Sequence, residues 1–393
     1  MADKKTYTAG IGSAEFGGNT NAAIQAAVDC AAAAGGGIVK VLPGRYTMRD
    51  SLHLRTGVFV LGGGPDTVLY KPACVSSSLT MSTGYGHYDV PVEDPGIFCV
   101  GDGLLIMNQG QYGFHTTVAT ITDIIGENLV IDRMLNNDYS HYHKARATTV
   151  YPLVSGVGIK DAGVGSMRLE GNAKENILMD GCRGAGIYFI CARDVTVCDM
   201  EVRDYNGEGI GWQQCVNVVV DRCVCDGITG AGYHLGSGTV GMVVRDSVGK
   251  NCRDGLFFCF RATRALLDNF TASNNKEHGI NIGYRDTDIE IRNGSIENNG
   301  TSGIVFRKND MKLTGNRTLI RGNKFAGNPV GVLLESDTDD VYLVDNEGLC
   351  EGCVKAADES YLKAVSFKPP INGLTFHERH LQNEELYHLG LRE

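Results

Sequence analysis

Three ionisable side chains in this sequence stand directly before a glycine that opens an apolar–x–apolar triplet: Glu208 in GEGIGW, Asp254 in RDGLFF and His278 in EHGINI. Over seven such triplets the same offset reads Ala185, Glu208, Ala231, Asp254, His278, Ser302 and Val330. If each triplet is one coil of a stacked sheet, Glu208 and Asp254 are two coils apart, about 9.6 Å at the backbone. Small Ala231 between them leaves space. Flexible side chains bring the two carboxyls into the roughly 6.5–9.5 Å window of an inverting glycosidase. Such chemistry needs one carboxyl held as an acid and the other ionised as a base. His278, one coil beyond Asp254, is placed to hold or tune it. The competing reading is turn capping: a polar residue before a turn glycine binds backbone groups, and its parity matches the buried positions.

Two residues after each glycine the sequence reads Tyr188, Gly211, His234, Phe257, Asn281, Val305 and Leu333. Strand alternation turns this column outward. Tyr188, His234 and Phe257 there suit the apolar face and hydroxyls of a sugar. A surface roofed by a loop explains them equally. His234 joins Glu208, Asp254 and His278 as a candidate catalytic residue. Further along the coils stand Gln213, Gln214, Arg261, Tyr284, Arg285, Asp286, Arg307 and Lys308. The arginines offer planar donor forks for carboxylates and vicinal hydroxyls; a structural ladder of ion pairs is the alternative. Trp212 falls on an inward offset and reads as core. His141 and His143 bracket a tyrosine, but no metal is expected there. The sequence has no nucleophile elbow, P-loop or dinucleotide fingerprint.

Stacked coils must hold these columns. The glycines Gly186, Gly209, Gly232, Gly255, Gly279, Gly303 and Gly331 are separated by steps of 23, 23, 23, 24, 24 and 28 residues. That period marks a solenoid whose units bury their apolar faces only against neighbours. The period-two pattern inside each triplet makes the units strands, hence a parallel β-helix. Residues 1–72 read as an N-terminal cap helix followed by the first coils. NTNAAIQAAVDCAAAA (19–34) is the helix, ended by Gly35, Gly36 and Gly37. IVKVLPGRYTM, SLHL and GVFVLGGG supply the first strands. Residues 73–160 interrupt the pattern as a loop and hairpin insertion, with the hairpin over Thr117–Asp132 around Gly126. Aromatic and histidine-rich stretches (GYGHYD, NDYSHYHK) flank that hairpin. Residues 161–350 are regular coils. Residues 351–393 form a C-terminal tail with a short helix over His377–Leu391, the whole being one continuous domain.

The N-terminal stretch NTNAAIQAAVDCAAAAGGGIVKVLPGRYTM, followed by repeated GI-type coils, resembles the pectate-lyase-like superfamily. Members include pectate lyases, polygalacturonases and phage tailspikes. The resemblance implies an all-β, single-stranded right-handed parallel β-helix with an N-terminal capping helix and a short helical tail. The polygalacturonase pattern of Asn-Thr-Asp, Asp-Asp and Gly-His-Gly is not met, so no catalytic residue is carried over from that group.

The 393 residues are 42% hydrophobic, enough for a large core, and carry a formal net charge of −10. That charge argues against nucleic acid as the partner. No run of apolar residues is long enough for a membrane span, and MADKKTYTAG lacks the apolar region of a signal peptide, so a cytoplasmic location is expected. The 13 cysteines fall largely inside repeats and read as interior thiols rather than metal ligands. No cofactor is expected, and a homo-oligomer such as a trimer is compatible with the architecture. The leading expectation is a carbohydrate-active enzyme, hydrolase-like, that cleaves or rearranges a glycosidic bond in an oligo- or polysaccharide. The alternatives are a polysaccharide lyase, with a base beside a neutralised uronate, and a non-catalytic glycan-binding or structural solenoid.

Overall fold

The computed structural model describes residues 5–111, 113–309 and 313–370. The helix expected over His377–Leu391 lies outside the described residues. The chain divides into two units: Met1–Gly156 with Ser166–Tyr188 and Arg203–Glu208, and Val157–Gly165 with Phe189–Val202 and Gly209–Glu393.

In the first unit the alanine-rich segment forms a helix, Asn21–Ala33. Alanine loses no side-chain entropy in a helix, and Ile24, Ala27, Val28 and Ala31 give it one buried stripe. Gly36 ends it: its amide donates to the Ala31 carbonyl at 2.9 Å. A Cβ there would sit 2.7 Å from the Gly57 carbonyl oxygen, at φ +116°, so only glycine fits. The stripe packs on parallel strands Thr6–Gly10, Gly37–Val41 and Val58–Gly62. Their register runs Thr6↔Ile38 and Ile38↔Phe59.

The insertion builds its own antiparallel sheet from Ser76–Ser78, Asp89–Pro91, Gly103–Met107, Thr117–Ile125, Asn128–Ile131 and Arg146–Thr148. The expected hairpin is the pairing of Thr117–Ile125 with Asn128–Ile131, and Gly126 takes φ +60° at its tip. Val90, Leu104, Ile106, Ile121 and Leu129 form its core.

The second unit shows the coil directly. Each coil supplies three short strands: for example Asp254–Phe258, Thr263–Asp268 and Thr271–Ser273, then His278–Ile282, Thr287–Arg292 and Ser295–Glu297. Equivalent strands of successive coils pair in parallel and in register. Inside, Ile210, Tyr233, Leu256, Ile280, Ile304 and Val332 face one another in one column, and all are fully buried. Trp212 is fully buried too. The turns are held by side chains: Asn299 Oδ1 accepts the Asn275 amide, and Asn328 Oδ1 accepts the Asn299 amide. Of the cysteines, Cys198, Cys215, Cys223, Cys225 and Cys252 are buried, while Cys30, Cys99, Cys191 and Cys350 are exposed. Among the described residues no helix is long and apolar enough to cross a membrane.

Candidate active site

The outward column is present in the second unit as a strand register, Gly211↔His234↔Phe257↔Asn281↔Val305↔Leu333. It is not an open wall. His234 is 5% exposed, Asn281 7% and Val305 0%, and Phe257 is half-buried. The cover comes from the neighbouring column. The Arg307 guanidinium lies 4.2 Å from the Phe257 ring centroid and 5.1 Å from that of Tyr284. It donates to the Phe258 carbonyl (2.6 Å), to Asn281 Oδ1 (3.1 Å) and to the Cys259 carbonyl. Gly283 makes this path open, because a Cβ there would lie 1.9 Å from Arg307 Cζ. Arg307 is therefore a strut across the face, rather than a free ligand fork.

His234 is fixed by Gln213. The Gln213 Oε1 accepts the Ser237 amide at 2.7 Å, and an amide N–H can only donate. Gln213 Nε2 therefore donates to His234 Nε2 at 3.2 Å. A neutral His234 then carries its proton on Nδ1. Its ring meets Phe257 at 5.2 Å.

Asp254 opens its strand at only 1% exposure. Its Oδ2 accepts from Arg253 Nε at 2.9 Å, and Arg253 also reaches over Phe257, 5.9 Å from the centroid. Asp254 Oδ1 has no hydrogen-bond partner among the described residues. Burial pushes this carboxyl above the usual range, and Arg253 pulls it back. His278 is half-buried, with Nδ1 2.8 Å from Ser302 Oγ. Burial holds its imidazole below the ordinary histidine value, against the pull of Asp254 and Glu277. Ligating atoms of Asp254, Glu277 and His278 all lie within 4.8 Å of one another. This group has the donor set for a divalent cation, although Arg253 already supplies positive charge to Asp254.

The remaining expected residues divide by role. Arg261 and Arg285 are exposed, both with φ +57°, and Arg261 lies over Phe260, which meets Tyr284 edge-on at 6.0 Å. Among the described residues no acidic partner pairs with either arginine. Gln214 is exposed on the same kind of turn, at φ +47°. Asp286, expected to bind substrate, is instead fully buried and accepts the Ala262 and Gly283 amides at 2.9 Å each. Burial pushes it up to about 8. Its carboxyl ties two coils together.

Glu208 and Tyr188 belong to the first unit. Glu208 is buried and its carbonyl accepts the Gly186 amide. Tyr188 is buried and its hydroxyl donates to the Cys182 carbonyl at 2.8 Å, a packing role rather than a sugar platform. Within the second unit Glu277 is an acidic neighbour of Asp254.

Sequence reasoning missed Arg253 and Glu277. A signal was present: each precedes a column residue in a polar doublet before the glycine, Arg253-Asp254-Gly255 and Glu277-His278-Gly279. The second unit thus brings together His234, Gln213, Phe257, Arg307 and Tyr284, with Asp254, Arg253, Glu277 and His278 at one end.

Residues 185–347 match the family model described as "Right handed beta helix region". No curated protein matches the sequence. Among solved structures, the chain is similar to the A-module of a mannuronan C-5 epimerase from Azotobacter vinelandii, at 16% identity and a TM-score of 0.52, covering 89% of this chain and 95% of that one. It is also similar to a surface adhesin of Streptococcus pneumoniae (12% identity, 83% and 82% covered, TM-score 0.49). A third is an alginate lyase from Paenibacillus sp. (11% identity, 90% and 92% covered, TM-score 0.46). At these identities the likeness is one of fold.

Proposed function

We propose that this protein, a right-handed parallel β-helix, is an enzyme acting on an oligo- or polysaccharide that contains uronate. The similar epimerase is named for mannuronan, which agrees in substrate class. The observation that carries the reading is the Asp254–Glu277–His278 group beside Arg253.

The chemistry follows from burial and charge. Abstraction of the proton next to a uronate carboxylate needs a neutral base and a cation to take up charge on that carboxylate. His278 is kept neutral by its burial and is the base. Asp254 lies behind it, too buried to meet substrate, and its charge stabilises the imidazolium that forms. Arg253, whose side chain is 37% exposed, faces the carboxylate. In elimination His278 passes the proton it has taken to the leaving oxygen; in epimerisation water supplies a proton to the carbon on the opposite face, and the Glu277 carboxylate adds to the negative charge beside the imidazolium. Arg261 and Arg285, without acidic partners among the described residues, extend the anion-binding surface along successive turns.

Hydrolysis is the second reading, with Asp254 and Glu277 as the carboxyl pair. Their oxygens lie within 4.8 Å, closer than the inverting window of about 6.5–9.5 Å. The experiment is a panel of acidic and neutral oligosaccharides assayed for ultraviolet-absorbing unsaturated ends, for new reducing ends and for inversion at C-5. We expect unsaturated or epimerised product from an acidic member. His278→Gln should lower the rate by about 10²–10⁴-fold. Reducing ends without unsaturation or inversion would transfer the reading to hydrolysis. Full activity in His278→Gln would remove this centre altogether.

A further inference from the structure

Among the described residues, Cys350 and Cys353 are the cysteines whose sulfurs touch, at 2.9 Å between Sγ atoms. Both are free thiols, the first exposed and the second half-buried. They bracket a single turn, Glu351–Cys353, in which the Cys353 amide donates to the Cys350 carbonyl at 2.9 Å. The turn is fastened to the preceding coil: Cys353 O accepts the Gly331 amide at 2.9 Å. Immediately after it, strand Val354–Ala356 pairs with Val332–Leu334.

The surroundings of these thiols differ from those of the interior cysteines. Burial pushes Cys198 and Cys215 up to about 12, which makes them inert at neutral pH. Cys350 is held below the ordinary thiol value, chiefly by the hydrogen bond from the Cys353 thiol and also by the backbone amides of Cys353 and Gly352. Zinc would need further ligands, and the Asp254–Glu277–His278 group is the one metal-type cluster of three or more among the described residues.

We infer that Cys350 and Cys353 form a redox-active dithiol, a modification site on the turn that leads into strand Val354–Ala356, which exchanges with small disulfides. The Cys350 thiolate attacks one sulfur of a disulfide such as glutathione disulfide. A mixed disulfide forms and one thiolate leaves. Cys353 loses its proton to solvent and attacks Cys350 Sγ, expelling the second thiolate. The protein loses two electrons and two protons, and one small disulfide becomes two thiols. The new bond closes the turn that fixes the strand behind it.

The test uses the full chain in glutathione buffers of graded composition, followed by alkylation and peptide mass mapping. The expected result is a Cys350–Cys353 crosslink, lighter by two hydrogens, that reopens in excess reduced glutathione. Exposed Cys30, Cys99 and Cys191 should carry at most single adducts. Cys353→Ser should trap glutathione on Cys350, and at neutral pH do so several-fold faster than Cys350→Ser traps it on Cys353. Circular dichroism of both variants checks that they fold. Separate adducts on Cys350 and Cys353 in the unaltered chain would overturn the inference. So would equal trapping rates in the two variants, or thiols at both positions that stay alkylatable while Cys30 is modified.

Discussion

A buried carboxyl beside a half-buried imidazole acts through its charge. His278 works as a base only while neutral, so activity is lost as pH falls through its folded value. Burial sets that value below the ordinary histidine range, while Asp254 and Glu277 pull it upward. Asp254→Asn removes one upward pull. The acid limb of the kcat/KM profile should therefore move to lower pH, with a reduced plateau. A limb that stays in place, or moves to higher pH, would show that Asp254 does not act on His278. Arg307 poses a different residue-scale question, because its place depends on a missing atom. Gly283→Ala puts a methyl into the guanidinium path. The arginine must leave the Phe258 and Cys259 carbonyls, and the cost should be about 1–3 kcal/mol of unfolding free energy by denaturant titration. Arg307→Met in the Gly283→Ala background should add little further loss, since the strut is already displaced.

The strands of each coil are short, and their turns are where side chains take over the backbone's bonding. Asn299 shows the economy of this. Its Oδ1 accepts the Asn275 amide, and its Nδ2 donates to the Ala272 carbonyl at 3.1 Å. Asn299→Ala removes the side-chain acceptor of the buried Asn275 amide and a side-chain donor to the Ala272 carbonyl. A loss of about 1–3 kcal/mol for each is expected, measured as a shifted denaturation midpoint with unchanged slope. A loss under about 0.5 kcal/mol would show that water replaces the side chain. The triplets were legible because alternation is local: Leu256 and Phe258 are inward whatever lies beside them. The asparagine ladder repeats as Asn274-Asn275 and Asn298-Asn299. Its meaning rests on left-handed backbone at Asn274 and Asn298, with φ of 56° and 54°, which a sequence does not display. In the insertion, the hairpin over Thr117–Ile131 could be read. The pairing of Ser76–Ser78 with Arg146–Thr148 could not, because the partners are far apart in the chain. The site divides in the same way. The column His234–Phe257–Asn281 follows from the period. The strut role of Arg307 and the backbone ties of Asp286 depend on which atoms lie across the sheet, as does the pairing of Arg253 with Asp254.

At the scale of the whole molecule, a solenoid differs from other folds in that each coil answers only to its neighbours. In the second unit that property can be tested by removing one period. Deleting residues 279–302 joins His278 to Gly303, which takes the place of Gly279, its equivalent one period earlier. Leu256 then faces Ile304 in place of Ile280, Phe257 faces Val305 in place of Asn281, and Asn275 meets Asn328 in place of Asn299. The inward apolar contacts and the asparagine tie are replaced by contacts of their own kind, while polar Asn281 and Glu290 give way to Val305 and Leu319 and the loss of Asp286 takes away the acceptor of the Ala262 amide. The shortened chain should fold with an unchanged β-type circular dichroism spectrum and a lower denaturation midpoint. Deleting residues 279–290 instead removes half a period. It sets His278 against Ile291, puts strand residues where turns belong and turns apolar side chains outward. That chain should be insoluble or unfolded. If both deletions behaved alike, stacking of equivalent coils would not be what specifies this unit, and reading chemistry from columns would lose its basis.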